Sequence, residues 1–144
     1  MTSRTPRTPY LFDVSVLIEI ARGDADLIRL VQRWDSEGQP MVMPVLALTA
    51  ASLDASSAEA DDLLGGLELF DRVEIAPIAG ADQALALAGV MAKTGLDVHD
   101  AQVAAIADVG VLPILTFDPA KWETASHQFD EPLHIRQIDD SPDE

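Results

Sequence analysis

Short apolar runs alternate with longer stretches of helical spacing along nearly the whole chain, and this alternation constrains the fold more than any other feature. Tyr10-Leu11-Phe12 reads as a first strand, closed at once by Asp13. A helix over 15–22 stops at Gly23, and Asp24 or Asp26 opens a second, with Leu27, Leu30 and Val31 on one face. After the turn Glu37-Gly38-Gln39-Pro40, Met41-Val42-Met43 is a second strand. Helices come next over 45–53 and from Ser56 or Ser57 to Leu69, the latter with a kink or break at Gly65-Gly66. Residues 72–78 alternate polar and apolar, as in a strand with one more exposed face. A helix over 82–93 ends at Gly95, and another, capped by Asp97, runs to Asp108 and ends at Gly110. Residues 111–116 form a continuous apolar run, the pattern of a buried parallel strand. A short helix over 119–125 and an edge strand over 133–138 complete the series. Strands joined by helices imply right-handed crossovers, hence an α/β class: a three-layer α/β/α sandwich around a mainly parallel sheet.

At 144 residues, nearly half of them apolar, the chain fits one domain with a proper core. We expect a flexible N-terminus over 1–9, a single domain over 10–138 and a frayed acidic tail over 139–144. The lack of cysteine excludes disulfides, cysteine nucleophiles and thiolate metal sites. No apolar run approaches the roughly 20 residues of a membrane span, and residues 1–8 lack the apolar stretch of a signal peptide. No membrane contact is expected, and the cytoplasm is the expected location. With 25 acidic residues against 9 basic ones, the chain carries a formal charge of −16. It therefore lacks the basic balance usual in nucleic-acid binders. Acidity fits a metal site and a basic partner equally well.

In sheets of this kind, function gathers beyond the carboxyl ends of the strands. The residue directly after Phe12 is Asp13, and the residue directly after Phe117 is Asp118. A third aspartate, Asp100, stands in the first turn of an otherwise apolar helix. Each also has a plain structural role. Asp13 suits a helix N-cap, Asp118 a turn before Pro119, and Asp100 interacts well with a helix dipole. Asp97 shares a face with Asp100 and is either a cap or an auxiliary ligand. Ser15 either caps the helix after Asp13 or hydrogen-bonds Asp13 itself. Carboxylates packed together repel unless a cation neutralises them, and hard oxygen ligands suit magnesium or manganese. The scattered His99, His127 and His134 argue against a histidine zinc site. Trp34 and Trp122 read as packing residues, and Arg22, Arg29 and Arg33 as a solvated helix face.

Four segments resemble the PIN domains. Leu11-Phe12-Asp13-Val14-Ser15-Val16-Leu17-Ile18-Glu19, with Arg22-Gly23-Asp24 close behind, is similar to the opening of VapC-type toxins. Val42-Met43-Pro44-Val45-Leu46-Ala47-Leu48 resembles the family's second strand and next helix. Val98-His99-Asp100-Ala101-Gln102-Val103-Ala104-Ala105 resembles its central acidic helix. The run from Val111 through Thr116-Phe117-Asp118-Pro119 resembles its last core strand and acidic end. The resemblance implies a magnesium- or manganese-dependent endoribonuclease of toxin–antitoxin type. It also implies an RNA substrate, a small antitoxin with a basic tail, and a homodimer. Asp13, Asp100 and Asp118 would hold the metal, with Ser15 orienting Asp13 and Thr116 in a supporting place.

The sequence departs from the family at one acidic position. In the helix after the second strand, where the family places glutamate, this chain has Ala50. Asp54, one helical turn further along the same face, is an auxiliary acid about 5.4 Å away along the axis. The departure motivates a second expectation, a degenerate PIN module that acts by binding a protein partner, with weak or absent catalysis. Two other folds with an aspartate pole fit less well. Asp13-Val14-Ser15 lacks the second aspartate of haloacid dehalogenases, and Lys121 comes after Asp118 in a turn, unlike the lysine of receiver domains.

Overall fold

The computed structural model describes residues 7–138, so most of the expected N-terminal segment and the whole acidic tail lie outside the described residues. Five strands, β1 (Tyr10–Phe12), β2 (Met41–Pro44), β3 (Val73–Ala76), β4 (Ile114–Thr116) and β5 (Ile135–Gln137), form one sheet in the order β3-β2-β1-β4-β5. Every pairing is parallel. Among the described residues, seven helices flank the sheet: α1 (Val14–Ala21), α2 (Ala25–Glu37), α3 (Val45–Ala55), α4 (Ala58–Gly66), α5 (Gly80–Thr94), α6 (Val98–Gly110) and α7 (Pro119–Ser126). This is the α/β architecture expected from the alternation. None of the described helices is long and apolar enough to cross a membrane.

The burial pattern explains the strand order. Central β1 carries Leu11 and Phe12, neither of them exposed, and β4 carries the equally buried Ile114 and Leu115. The more polar β3 and β5 take the edges, where one flank stays wet. α1 packs on α3 and α4, while α6 packs on α3 and α5. Trp34 meets Tyr10 and Phe12 edge-on, with ring centroids 5.0 and 6.2 Å apart, a packing role as expected. Gly65-Gly66 ends α4, and a tighter turn over Leu67–Leu69 comes after it.

The fourth strand is shorter than its apolar run. Val111 does not join it. It closes α6 in the left-handed region, with φ 54°, and its side chain is exposed. The helix runs on through Gly110, where an added Cβ would stand 3.2 Å from Leu112 Cγ. Glycine at 110 lets Leu112 fold back, and the left-handed cap falls one residue later. Asp97 holds the N-cap position of α6, but its side chain makes no capping hydrogen bond.

Strand order reverses at β1. From there the chain moves out through β2 to β3, then returns to the far side as β4 and β5. The carboxyl ends of β1 and β4 therefore lie side by side at a switch point, where such sheets place their sites. Leu11 pairs with Ile114 and Phe12 with Leu115, and Asp13 N–H donates to the Leu115 carbonyl at 3.3 Å.

Candidate acidic site

Asp13 begins α1 and is completely buried. Its Oδ1 accepts from Val16 N–H at 3.1 Å, so it is the N-cap of α1, and from Ser15 Oγ at 2.7 Å. Its Oδ2 accepts from the indole N–H of Trp122 at 2.8 Å. Both oxygens are thus engaged by donors of the chain itself. Trp122 is the largest fully buried side chain, and a buried indole needs an acceptor. The packing role expected of it is real, and its second role is to hold Asp13.

Ser15 and Thr116 form the seam between the two strand ends. Ser15 Oγ donates to Asp13 and accepts from Phe117 N–H at 3.0 Å. Thr116 Oγ1 lies 3.5 Å from Ser15 Oγ and accepts from Asp118 N–H at 2.8 Å. Asp118 itself is exposed and caps α7 through a long contact, 3.4 Å from Lys121 N–H.

Asp100 reaches the pole from the first turn of α6 with its side chain only 10% exposed. Its Oδ2 accepts from Lys121 Nζ at 3.1 Å. Its Oδ1 is buried and has no partner. His99 Nε2 stands 3.9 Å from carboxylate oxygens of both Asp97 and Asp100. Lys121 lies one turn into α7 and Trp122 next to it, so a single helical turn carries both groups back over the strand ends. Sequence reasoning missed this pair. The available signal was their spacing, three and four residues after Asp118.

An open groove of about 550 Å³ is lined by Val14 and His99, the chain neighbours of Asp13 and Asp100, and by Ile18, Ala50, Leu53 and Val98, among others. Ala50 faces it with a methyl group. Asp54 also borders the groove, where its Oδ2 is paired with Arg22 at 3.3 Å, and Arg22 is held in turn by Glu19 at 3.0 Å.

The donor set does not fit a divalent ion. Magnesium and manganese need several free carboxylate or water oxygens in octahedral order. Here Asp13 already accepts three hydrogen bonds from the chain, Asp100 has one unpartnered oxygen, Asp118 stands on an exposed turn, and Ala50 offers no oxygen. Among the described residues, no three acidic or histidine side chains are grouped to hold an ion. An ion at Asp100 would compete with the Lys121 ammonium already placed on its Oδ2.

A parallel α/β sheet with buried aspartates at its switch point defines an acidic-pole domain. More particularly, the chain belongs to the PIN domain family, whose profile matches residues 10–125. VapBC2 from Rickettsia felis, solved bound to a DNA fragment from its promoter, is similar in fold, with TM-score 0.61 and 14% identity. That match covers 90% of this chain and 98% of the other. DNA-bound VapBC from Salmonella typhimurium gives TM-score 0.60 at 14% identity, with the same 90% and 98% coverage. No curated protein matches the chain.

Proposed function

We propose that this protein is a non-cleaving PIN module of toxin–antitoxin type, which holds a basic segment of a small antitoxin at its acidic pole. One observation carries the reading: Asp13 and Asp100 are already compensated from within, by Trp122 and Lys121. Carboxylates so engaged are not available as a metal cage. What the pole still offers is recognition. The groove presents Leu53, 74% exposed, and Val98 beside Asp54, with the exposed Asp97 next to Val98 at the start of α6. A segment of apolar residues with arginine complements that surface in both respects. The −16 charge supports a basic partner over a polyanion. A homodimer and a cytoplasmic setting belong to the same proposal, on the strength of the family resemblance.

The second reading is the metal-dependent endoribonuclease acting on RNA, and the orphaned Asp100 Oδ1 favours it, since such an atom suits an ion or an ion-bound water. RNA cleavage separates the two. Purified protein incubated with mixed single-stranded and structured RNA in manganese should leave the RNA intact. Cleavage that EDTA abolishes and Asp100→Asn removes would restore the nuclease reading. In parallel, a labelled arginine- and leucine-containing peptide should bind the wild type. Leu53→Asp should weaken that binding about tenfold, a change on the order of 1.4 kcal/mol.

A further inference from the structure

We propose that residues 139–144 are an anionic strap that lies in the cleft between α2 and β5, against Arg33 and Arg136. The cleft shares no lining residue with the acidic groove, so this strap stands or falls apart from the antitoxin reading.

The surface comes first. A narrow cleft of about 80 Å³ is bordered by Leu30 and Trp34 of α2 and by Leu115 of β4. Arg33 adds a guanidinium from α2, Arg136 adds another from β5, and Ile138 borders the cleft just past the end of that strand. No described carboxylate lines it, although the chain carries 25 acidic residues against 9 basic ones. Arg136 is held in place there. Its guanidinium lies over the Tyr10 ring, 5.0 Å from the centroid, and Nη1 donates to the Tyr10 hydroxyl at 3.1 Å. Tyr10 in turn meets Trp34 of the same cleft. Arg22, Arg29 and Lys121 each rest on a carboxylate, whereas Arg136 makes no ion pair among the described residues. A fixed cation without a counter-charge is a docking point for an anion.

The occupant follows from where the chain goes next. Sheet pairing continues one residue beyond β5, where Ile138 N–H donates to the Thr116 carbonyl at 2.9 Å. The chain therefore leaves the sheet from a fixed point that is itself part of the cleft wall. The next six residues are Asp139-Asp140-Ser141-Pro142-Asp143-Glu144, with four acids and no base. Six residues span up to about 20 Å, ample for a cleft that begins where they begin. So short a tether gives an effective concentration on the order of millimolar, and modest attraction then suffices. Repulsion points the same way. The sheet is parallel, so β5 ends at the pole that carries Asp13, Asp100 and Asp118, and like charge disfavours that direction. A second copy of the chain, or an external polyanion, would have to approach against a charge of −16. The tethered segment has no such approach to make.

Thermal unfolding of the full chain and of a chain ended after Ile138, at low and at high salt, tests the strap. Removing four acids from so acidic a protein relieves self-repulsion, which by itself raises the melting temperature. With the strap docked, truncation should instead lower it by about 2–4 °C at low salt, and less at high salt. Arg33→Gln/Arg136→Gln in the full chain should cause a similar loss. Truncating that variant should cost nothing further, as groups that act through one contact are not additive. Acrylamide quenching reads the cover directly. Trp122 is fully buried, so quenching reports on Trp34, and it should rise on truncation. If the truncated chain fails to fold, Asp139→Asn/Asp140→Asn/Asp143→Asn/Glu144→Gln keeps the length and should give the same changes. A truncated chain that melts at or above the full chain, or whose Trp34 quenching is unchanged, overturns the proposal. So do losses from truncation and from the arginine substitutions that simply add. Binding of a single-stranded RNA oligonucleotide by the full chain, abolished in Arg33→Gln/Arg136→Gln, would give the cleft to a polyanion and overturn it as well.

Discussion

The two sides of the acidic pole are finished to different degrees. On the side built from β1, β4 and α7, every side-chain polar group of Asp13, Ser15 and Thr116 has a protein partner, and Asp13 and Thr116 are buried. On the side built from α3 and α6, the groove is open, Leu53 is bare, Asp97 points to solvent and Ala50 contributes only a methyl group. The closed side acts as a joint that locks two strand ends and two helix starts together. The open side has the character of a contact surface, with apolar patches beside acids and little internal bonding. The difference teaches that carboxylates at one pole can be consumed by the fold on one side while the other side is left open.

The largest expected effect is at the closed side. Asp13→Ala leaves the Trp122 indole, the Ser15 hydroxyl and the Val16 amide without their acceptor. Buried donors left unpaired cost about 1–3 kcal/mol each, less where a hydroxyl can turn away. We expect a loss of about 4 kcal/mol in chemical denaturation and a fall in melting temperature on the order of 10 °C or more. A loss below about 1 kcal/mol would show that the joint is not structural, and the contrast between the two sides would fail.

A finer cut is Trp122→Phe. The ring still packs, but Asp13 Oδ2 loses its donor and a small void opens. Orphaning one buried acceptor points to about 2 kcal/mol, below the effect of Asp13→Ala. If Trp122→Phe matches Asp13→Ala in full, Asp13 acts through the indole alone, and the Ser15 and Val16 contacts contribute little.

Much of the fold and part of the site were legible in the sequence. Asp13 was readable as a cap because an aspartate directly after a short apolar strand has few places to go, and its side chain does accept from Val16 N–H at the start of α1. Asp100 was readable from an acid in the first turn of an apolar helix. The all-parallel sheet came from strands that never meet without a helix between them. Lys121 and Trp122 were not readable as site residues, because their roles depend on where one turn of α7 lands in three dimensions, and no periodicity encodes that landing. The apolar run over 111–116 misled for a different reason. Apolar content cannot distinguish a strand from a helix that overshoots its glycine, and Val111 adopts a left-handed cap that β-branched residues seldom take. The missing cap bond of Asp97 is of the same kind, since residue type gives the tendency and the local backbone decides.

The smallest expected effect is on the open side, and it sharpens the comparison most. Asp54 pairs with Arg22 across exposed surface, where the two side chains are 43% and 58% exposed. Such pairs contribute about 0–1 kcal/mol, and Arg22 keeps Glu19 as a partner when Asp54 is gone. Asp54→Ala should therefore change stability by less than about 0.5 kcal/mol and the melting temperature by no more than about 2 °C. Its effect should appear in binding instead. With one acid removed from the groove rim, the arginine- and leucine-containing peptide should bind more weakly, and the loss should shrink as salt rises, because rim charges are screened over about 10 Å at 0.1 M. A protein that melts unchanged but binds less well would separate recognition from folding at this pole. A stability loss approaching that of Asp13→Ala would instead mean that both sides form one structural unit.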